Sequence, residues 1–419
     1  MDDNQRFGRG RALRCAVTLL LAGGSTLVMA DSLPEAIAAS HPLLDARLRF
    51  EHVDQAPFVD DAAALTLRTR LGLETGKAWN TSLLVEGEAT IALSDAYNST
   101  TNGRTRYPVV ADPENVELDR LQLTNTSIAD TTITLGRQRI VLDDHRFVGN
   151  VGWRQNEQTF DALRVVNRSL PKIVVDVTYL DQVHRVFGKD GAPGPNDGSF
   201  HGDSVLANVA WLSPVGRLTG FAYLVSFDER PFPVRDSSQT YGVRLAGDRA
   251  AGTLRLGYVA SWAHQSDYEA NPLRYEADYW LGELTLGWRA FSVGAGVELL
   301  GGDGAKGFTT PLATLHRFQG WADKFLATPV DGIDDRYVNL GWQAKGIAGA
   351  DTVGFQATWH DYRSERLAID YGSELDLQLQ AKVRRVTGAL KYAAYDAAGT
   401  TPAPLQDTDK LWLQLEFAY

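Results

Sequence analysis

Histidines flanked by acids are the side chains in this sequence best suited to chemistry. His145 follows Asp143 and Asp144, and His201 precedes Asp203 and Ser204. A serine and a histidine with an orienting carboxylate would support nucleophilic hydrolysis. Asp331, Asp334 and Asp335 could gather Ca²⁺ through carboxylate oxygens. The run Gly301-Gly302-Asp303-Gly304 reads as a turn, since it lacks the strand-to-helix setting of a phosphate loop. Cys15, Met1 and Met29 are the only cysteine and methionines, so from Asp31 onward the chain has neither residue. Structural disulfides, thiolate-bound zinc, iron–sulfur clusters and thiol nucleophiles are excluded from that part. The acid-flanked histidines fall in polar loops, where such neighbours are common. A hydrolase is thus only a remote reading, with no catalytic residue, metal ligand or cofactor assigned.

The elements that must position any of these residues follow a period of two. In Leu65-Thr66-Leu67-Arg68-Thr69-Arg70-Leu71-Gly72-Leu73-Glu74 the odd positions are mostly leucine and the even ones polar or small, a pattern no helix can use. The same alternation runs through Ile173 to Tyr179, Leu254 to Trp262 and Leu375 to Val383. Eighteen such runs begin near Leu44, Ala64, Leu83, Val116, Thr131, Phe160, Ile173, Ser204, Leu218, Thr240, Thr253, Asp278, Phe291, Tyr337, Val353, Leu375, Val386 and Lys410. Short connections such as Gly76-Lys77 and Leu170-Pro171 alternate with long ones such as Ser94 to Pro113, Asp143 to Gln158 and Gly301 to Asp335. An even strand number with short turns on one side and long loops on the other predicts an all-β, antiparallel transmembrane β-barrel, its turns periplasmic and its loops external. Aromatic residues near strand ends, such as Trp280 with Trp288 and Phe355 with Trp359, fit two interfacial girdles. The final strand, Leu411 to Tyr419, ends on an aromatic residue and resembles the C-terminal insertion signal of outer-membrane proteins.

Residues 1–30 carry four arginines, then the apolar stretch Ala16 to Val28 and a small-residue site before Asp31. They are expected to be a cleaved signal peptide, with residues 31–419 forming one barrel domain in the Gram-negative outer membrane. The first 30 residues hold four basic and two acidic side chains, so 37 basic and 50 acidic remain, a formal charge of −13. That balance disfavours a nucleic-acid partner.

In lipid the apolar parity faces outward and the polar parity lines the lumen. Eleven basic residues are thereby expected inside: Arg47, Arg49, Arg68, Arg70, Arg244, Arg255, Arg289, Lys345, Lys382, Arg384 and Lys391. Ten acids accompany them: Asp45, Glu51, Glu74, Glu86, Glu88, Asp176, Glu283, Glu298, Asp376 and Glu416. Arg47 and Arg49 should neighbour Arg68 and Arg70, and four guanidinium groups on one wall suit carboxylates by forked pairing. In the alternative reading Glu86 and Glu88 neutralise Arg68 and Arg70. Register fails at two places. Val116-Leu118 is out of phase with Leu121-Leu123, and strand parity around Gly136 would put Arg137 and Arg139 in lipid unless a bulge or strand end intervenes.

Two loop segments resemble one family. Gly136-Arg137-Gln138, Asn150, Trp153-Arg154-Gln155, Gln158 and Phe160-Asp161 match its G-R-Q … N-x-x-W-R-Q-x-x-Q-x-F-D signature. Thr310-Pro311-Leu312-Ala313-Thr314, His316, Phe318, Gly320-Trp321-Ala322-Asp323 and Phe325 resemble its later T-P-x-A-T-x-H-x-F-x-G-W-A-D-x-F loop. The family is that of alginate-export outer-membrane porins. The resemblance implies an 18-stranded barrel passing an acidic polysaccharide or oligosaccharide, most simply alginate, through an arginine-bearing channel. Arg137, Arg139, Arg146, Arg154, His316, Arg317 and Lys324 are the loop side chains expected near the solute. Outer-membrane lipid, lipopolysaccharide and periplasmic export components are the other expected partners. The expected behaviour is anion preference, with current block by alginate oligomers that weakens when Arg68 and Arg70 become alanine. A general diffusion porin without polyanion selectivity is the alternative.

Overall fold

Period-two alternation resolves into one closed antiparallel sheet. The structure is a computed structural model and describes residues 32–228, 232–399 and 405–419. The expected signal peptide lies outside those residues. A short helix α1 (Leu33–Ala38) leads into β1 (His41–Gln55), β2 (Ala62–Glu74), β3 (Thr81–Ala92), β4 (Asn115–Asn125), β5 (Thr131–Gln138) and β6 (Thr159–Asn167). Then come β7 (Ile173–His184), β8 (Ser199–Ser213), β9 (Gly216–Val225), β10 (Ser238–Ala251), β11 (Leu254–Asp267) and β12 (Glu276–Trp288). The last six are β13 (Phe291–Leu300), β14 (Ile333–Ile347), β15 (Ala350–Arg363), β16 (Asp370–Val383), β17 (Val386–Asp396) and β18 (Thr408–Ala418). Each begins within five residues of the position where alternation places it. Neighbours in sequence are neighbours in the sheet, and β1 closes the barrel by pairing with both β2 and β18.

The outer surface is apolar. Leu71, Leu284, Leu340 and Leu415 are each more than half exposed, while Arg49, Arg68 and Glu88 on the opposite parity are almost wholly buried. A sheet with leucine outside and charge inside is stable only with lipid around it. Trp280 and Trp288 are both exposed, the first four residues inside β12 and the second at its turn end. They are about 27 Å apart along the strand at ~3.4 Å per residue, or about 20 Å along the barrel axis at the usual tilt, somewhat less than the apolar band of such barrels.

Both register faults have physical causes. Between β3 and β4, Glu86 opposes Arg120 and Gly87 opposes Leu118, so Asp119 is an extra residue. That bulge lets Val116, Leu118, Leu121 and Leu123 all face outward while Asp119 and Arg120 both reach inside. In β5, Gly136 has φ of +113°, and Arg137 stays on the outward parity, forked onto Asp161 at 2.9 and 3.1 Å. Arg139 lies beyond the strand end and turns into the lumen, where it meets Glu86 at 3.0 Å.

Not every expected lumen residue lines the channel. Arg289 and Arg384 occupy the tight turns after β12 and β16 with positive φ, so they stand at the rim. Arg255, Lys345 and Lys382 keep the inward parity but lie near the turn ends of their strands and are exposed. The acidic trio also disperses, because β14 starts earlier than expected. Asp331 pairs with Arg366, Asp334 with Arg336, and Asp335 with His360, so they form no shared cation site.

A Cβ at Gly136 would lie 2.3 Å from the Leu121 carbonyl oxygen, on a backbone that L-residues avoid. Gly136→Ala should therefore destabilise the barrel by about 2 kcal/mol. Loss of the folded, fast-migrating band at lower temperature in heat-modifiability gels would register it, and an unchanged transition would contradict it.

Candidate functional site: a lumen closed by two loops

A barrel of eighteen strands is too wide to be filled by wall side chains. Here the 139–158 and 301–332 loops fold inward and interlock. Val148 and Leu312 form a parallel bridge. The Gly149 amide donates to the Leu312 carbonyl at 2.8 Å, and the Thr314 amide to the His145 carbonyl at 3.1 Å. The Gln158 side-chain amide donates to Gly149 and Leu312 carbonyls at 2.9 and 3.0 Å. Gly320 takes a left-handed φ of +79° where a Cβ would strike Glu374 and Tyr362, which explains a glycine before Trp321.

The wall then fastens both loops. Arg47 Nη1 lies within 3.2 Å of three successive carbonyl oxygens, those of Gly152, Trp153 and Arg154. The Gln155 side chain donates to the Thr66 hydroxyl at 2.8 Å, and its amide to Asp112 at 2.8 Å. From the other loop, the Trp321 and Ala322 amides donate to Asp376 and Glu374 on β16 at 3.2 and 2.7 Å. Trp153 stacks on His316 with centroids 4.5 Å apart, and the Lys391 ammonium lies 3.8 Å from Trp153 and 3.7 Å from Trp321. Such cation–π contacts out of water are worth about 2 kcal/mol each.

Every arginine of the expected cationic patch has an acid partner. Arg47 meets Glu416 at 3.2 Å, Arg49 meets Asp112 at 3.7 Å, and Arg68 is paired with Asp45. Arg70 is paired with Glu88 and also faces Asp119 and Glu157. Neutralisation expected from Glu86 and Glu88 is therefore partly rearranged, with Glu86 taking Arg120 and Arg139 instead. Arg120 and Arg164, which forks onto the expected lumen acid Asp176, lie where the strand register of the sequence is unreadable.

The loop candidates divide. Arg146 pairs with Glu298 at 2.7 Å, and Arg154 bridges Glu51 at 3.2 Å and Asp323 at 3.1 Å. Lys324 hydrogen-bonds the Thr408 hydroxyl at 2.9 Å, and burial together with neighbouring Lys410 pulls its ammonium down to about 8. Arg137 is outward and Arg244 pairs with Asp144 at 3.0 Å. Arg317 is exposed and makes no ion pair among the described residues. Among the described residues His145 has no Ser–carboxylate pair around it. His145 contacts Thr314 at 3.4 Å while Asp143 serves Asn208, and His201 lies in the β7–β8 ladder opposite Gln182.

His316 is held as a neutral imidazole, its pKa pushed down to about 3 by burial, with the Lys391 charge adding to the effect and Asp323 opposing it. Nδ1 then donates to Asp323 at 2.7 Å and Nε2 accepts from Lys391 at 3.1 Å. Burial works against the Asp323 carboxylate, yet His316, Lys410 and Arg154 hold it well below its usual range.

No protein-family model matches this chain, and no curated protein does. Solved barrels do. The chain superposes on Pseudomonas aeruginosa OccK3 (OpdO) with a TM-score of 0.66 at 13% identity, covering 92% of this chain and 97% of that one. For P. aeruginosa OccK9 (OpdG) the TM-score is 0.66 at 15% identity, over 92% and 100% of the two chains. The outer membrane protein OpdK of the same organism gives 0.64 at 16% identity over 90% and 98%. The chain is a closed 18-stranded barrel of the outer-membrane kind. The expected alginate-export kinship is not shown by these matches, whose identities establish the fold alone.

A cavity of about 300 Å³ lies between the 301–332 loop and the wall of β10 to β16. Its lining includes Asp144, Arg244, Glu283, Glu298, Arg317, Trp321, Asp335, Tyr337, His360 and Asp376. Volume and polarity place it at the small end of small-molecule sites.

Two outcomes follow. Arg154→Ala leaves the buried Glu51 without its cation while Asp323 keeps Lys410 at 2.9 Å, at a cost of about 3–5 kcal/mol. Single-channel conductance should rise as the loops loosen, and an unchanged conductance would contradict the clamp. For His316 the folded pKa lies below the unfolded one, near 6.5, so stability falls as pH drops from about 6.5 toward about 3. Thermal unfolding across that window should show the fall, flattened in His316→Gln.

Proposed function

We propose that the protein is a diffusion porin for small polar solutes, its lumen narrowed by the two interlocked loops. The observation that carries this reading is the pairing of Arg47, Arg49, Arg68 and Arg70 with carboxylates behind those loops. A polyanion would have to displace an acid from each guanidinium and pull the loop off Arg47 before it met an arginine surface. One cavity beside the loops, of about 300 Å³, is the size of a small molecule and not of a polysaccharide strand.

The acidic-polysaccharide reading keeps one support, the likeness of the two loop segments to those of alginate exporters. In the fold the shared residues dock loop against loop and loop against wall, as Gln158, Thr314 and Gln155 do. That role would serve any solute, so the likeness is at least as well explained by a common plug.

Liposome swelling with purified, refolded protein separates the two. Arabinose should enter readily, and alginate oligomers should neither enter nor block planar-bilayer current. Arg68→Ala with Arg70→Ala should leave anion selectivity unchanged. Concentration-dependent block by alginate that weakens in that double variant would restore the polyanion channel.

A further inference from the structure

On the turn side of the 301–332 loop, the inward face of three adjacent strands carries amides in place of charges. Leu340, Phe355 and Leu379 face the lipid from β14, β15 and β16, so the opposite parity points Gln343, Gln356, Gln378 and Gln380 into the lumen. Register brings these four together. Gln356 lies directly opposite Gln378, and in the next row Gln343 and Gln380 stand on either side of Gly354. At ~4.8 Å between strands those two are about 10 Å apart, with the glycine between them. A Cβ at Gly354 would meet only the Trp342 carbonyl oxygen, at 3.7 Å, so the wall has an open dent there. Gln343, Gln356 and Gln380 are exposed and Gln378 is half-buried. Among the described residues the side chains of Gln343, Gln378 and Gln380 make no hydrogen bond, and that of Gln356 donates only to Thr358 on its own strand, at 3.2 Å.

The upper row of amides opens into the cavity, whose lining includes Gln356 together with Trp321 of the loop. The partly exposed Trp321 ring lies 3.7 Å from the Lys391 ammonium, and Lys391 is the cross-strand partner of Gln378, which puts the indole beside the amides. In the row nearer the turns, Lys345 and Lys382 flank Thr352 and make no ion pair among the described residues. A carboxamide carries two donors and an acceptor oxygen, and a hydroxyl is donor and acceptor at once, so an amide meets neighbouring hydroxyls in either order. An organic cation finds no acid in the two amide rows and meets two lysines at their edge. A carboxylate finds no guanidinium fork among them. From this we infer that the wall of β14 to β16 is a subsite for a short neutral saccharide, one sugar unit seated in the Gly354 dent with its hydroxyls on the glutamines and the next laid against the apolar face of Trp321. The inference rests on the porin reading above and deepens it to a substrate class.

The test uses the refolded barrel in a planar bilayer, with ion current recorded as maltose, digalacturonate or a polyethylene glycol of similar size is added. Maltose should reduce the current along a saturating curve, whereas polyethylene glycol should reduce it only in proportion to its concentration. Gln378→Met combined with Gln380→Met, which keeps side-chain length and removes both amides, should raise the half-blocking maltose concentration about fivefold, the weight of one net hydrogen bond. Gly354→Val fills the dent from a strand position with room for it and should abolish the saturating block. Both variants should keep the sugar-free conductance of the native protein. Maltose acting no differently from polyethylene glycol on the native channel would overturn the inference, as would a half-blocking concentration unchanged in both variants. Block by digalacturonate at lower concentration than by maltose would overturn the neutral class. In each of those cases a normal sugar-free conductance leaves the porin reading standing, while a native protein that conducts no ions would overturn the porin reading and the subsite with it.

Discussion

The lumen of an eighteen-stranded barrel must be filled by something other than wall side chains, and whatever fills it brings its own backbone. Each peptide group of a loop drawn into the lumen needs a partner, since an unpaired buried amide or carbonyl costs as much as a lost hydrogen bond. Much of the interior chemistry here answers that demand. Arg47 serves three carbonyl oxygens in succession, Asp376 and Glu374 take the amides after Gly320, and the Gln158 side chain binds one carbonyl from each loop. Charged groups do this work well because a charge-assisted hydrogen bond is roughly twice as strong as a neutral one.

Using charges as fasteners constrains what they can do for a solute. Each buried guanidinium needs a carboxylate, so the wall of β1 to β4 carries cations and anions in near balance, as Arg70 shows by facing Glu88, Asp119 and Glu157 together. The cavity lies on the opposite side of the lumen, along β10 to β16 and beside the 301–332 loop.

Much of the fold was legible because a lipid-facing sheet writes itself into alternate positions. All eighteen strands, and the inward direction of Arg47, Arg49, Arg68 and Arg70, follow from parity alone. Parity gives a direction and no partner. That Arg68 meets Asp45 instead of a solute depends on cross-strand register, and register is lost wherever a residue is inserted, as at Asp119. Turn positions such as Arg289 were misplaced because a tight turn continues the alternation by one or two residues. The two loop segments stand out in the sequence only by their likeness to alginate-exporter loops, and Gln155 and Asn156 give no sign there of total burial, since nothing in a polar run says that it will be drawn inside a barrel.

The fasteners cluster at one place on the circumference. Arg47 and Glu51 belong to β1, Lys391 to β17, and Lys410 and Trp412 to β18. Together they hold Trp153, Arg154, His316 and Asp323 at the seam where the first and last strands meet. The seat of the plug is thus divided between the two ends of the chain and is complete only after β1 has paired with β18. A barrel whose ends have not yet zipped offers these loops only half of that seat.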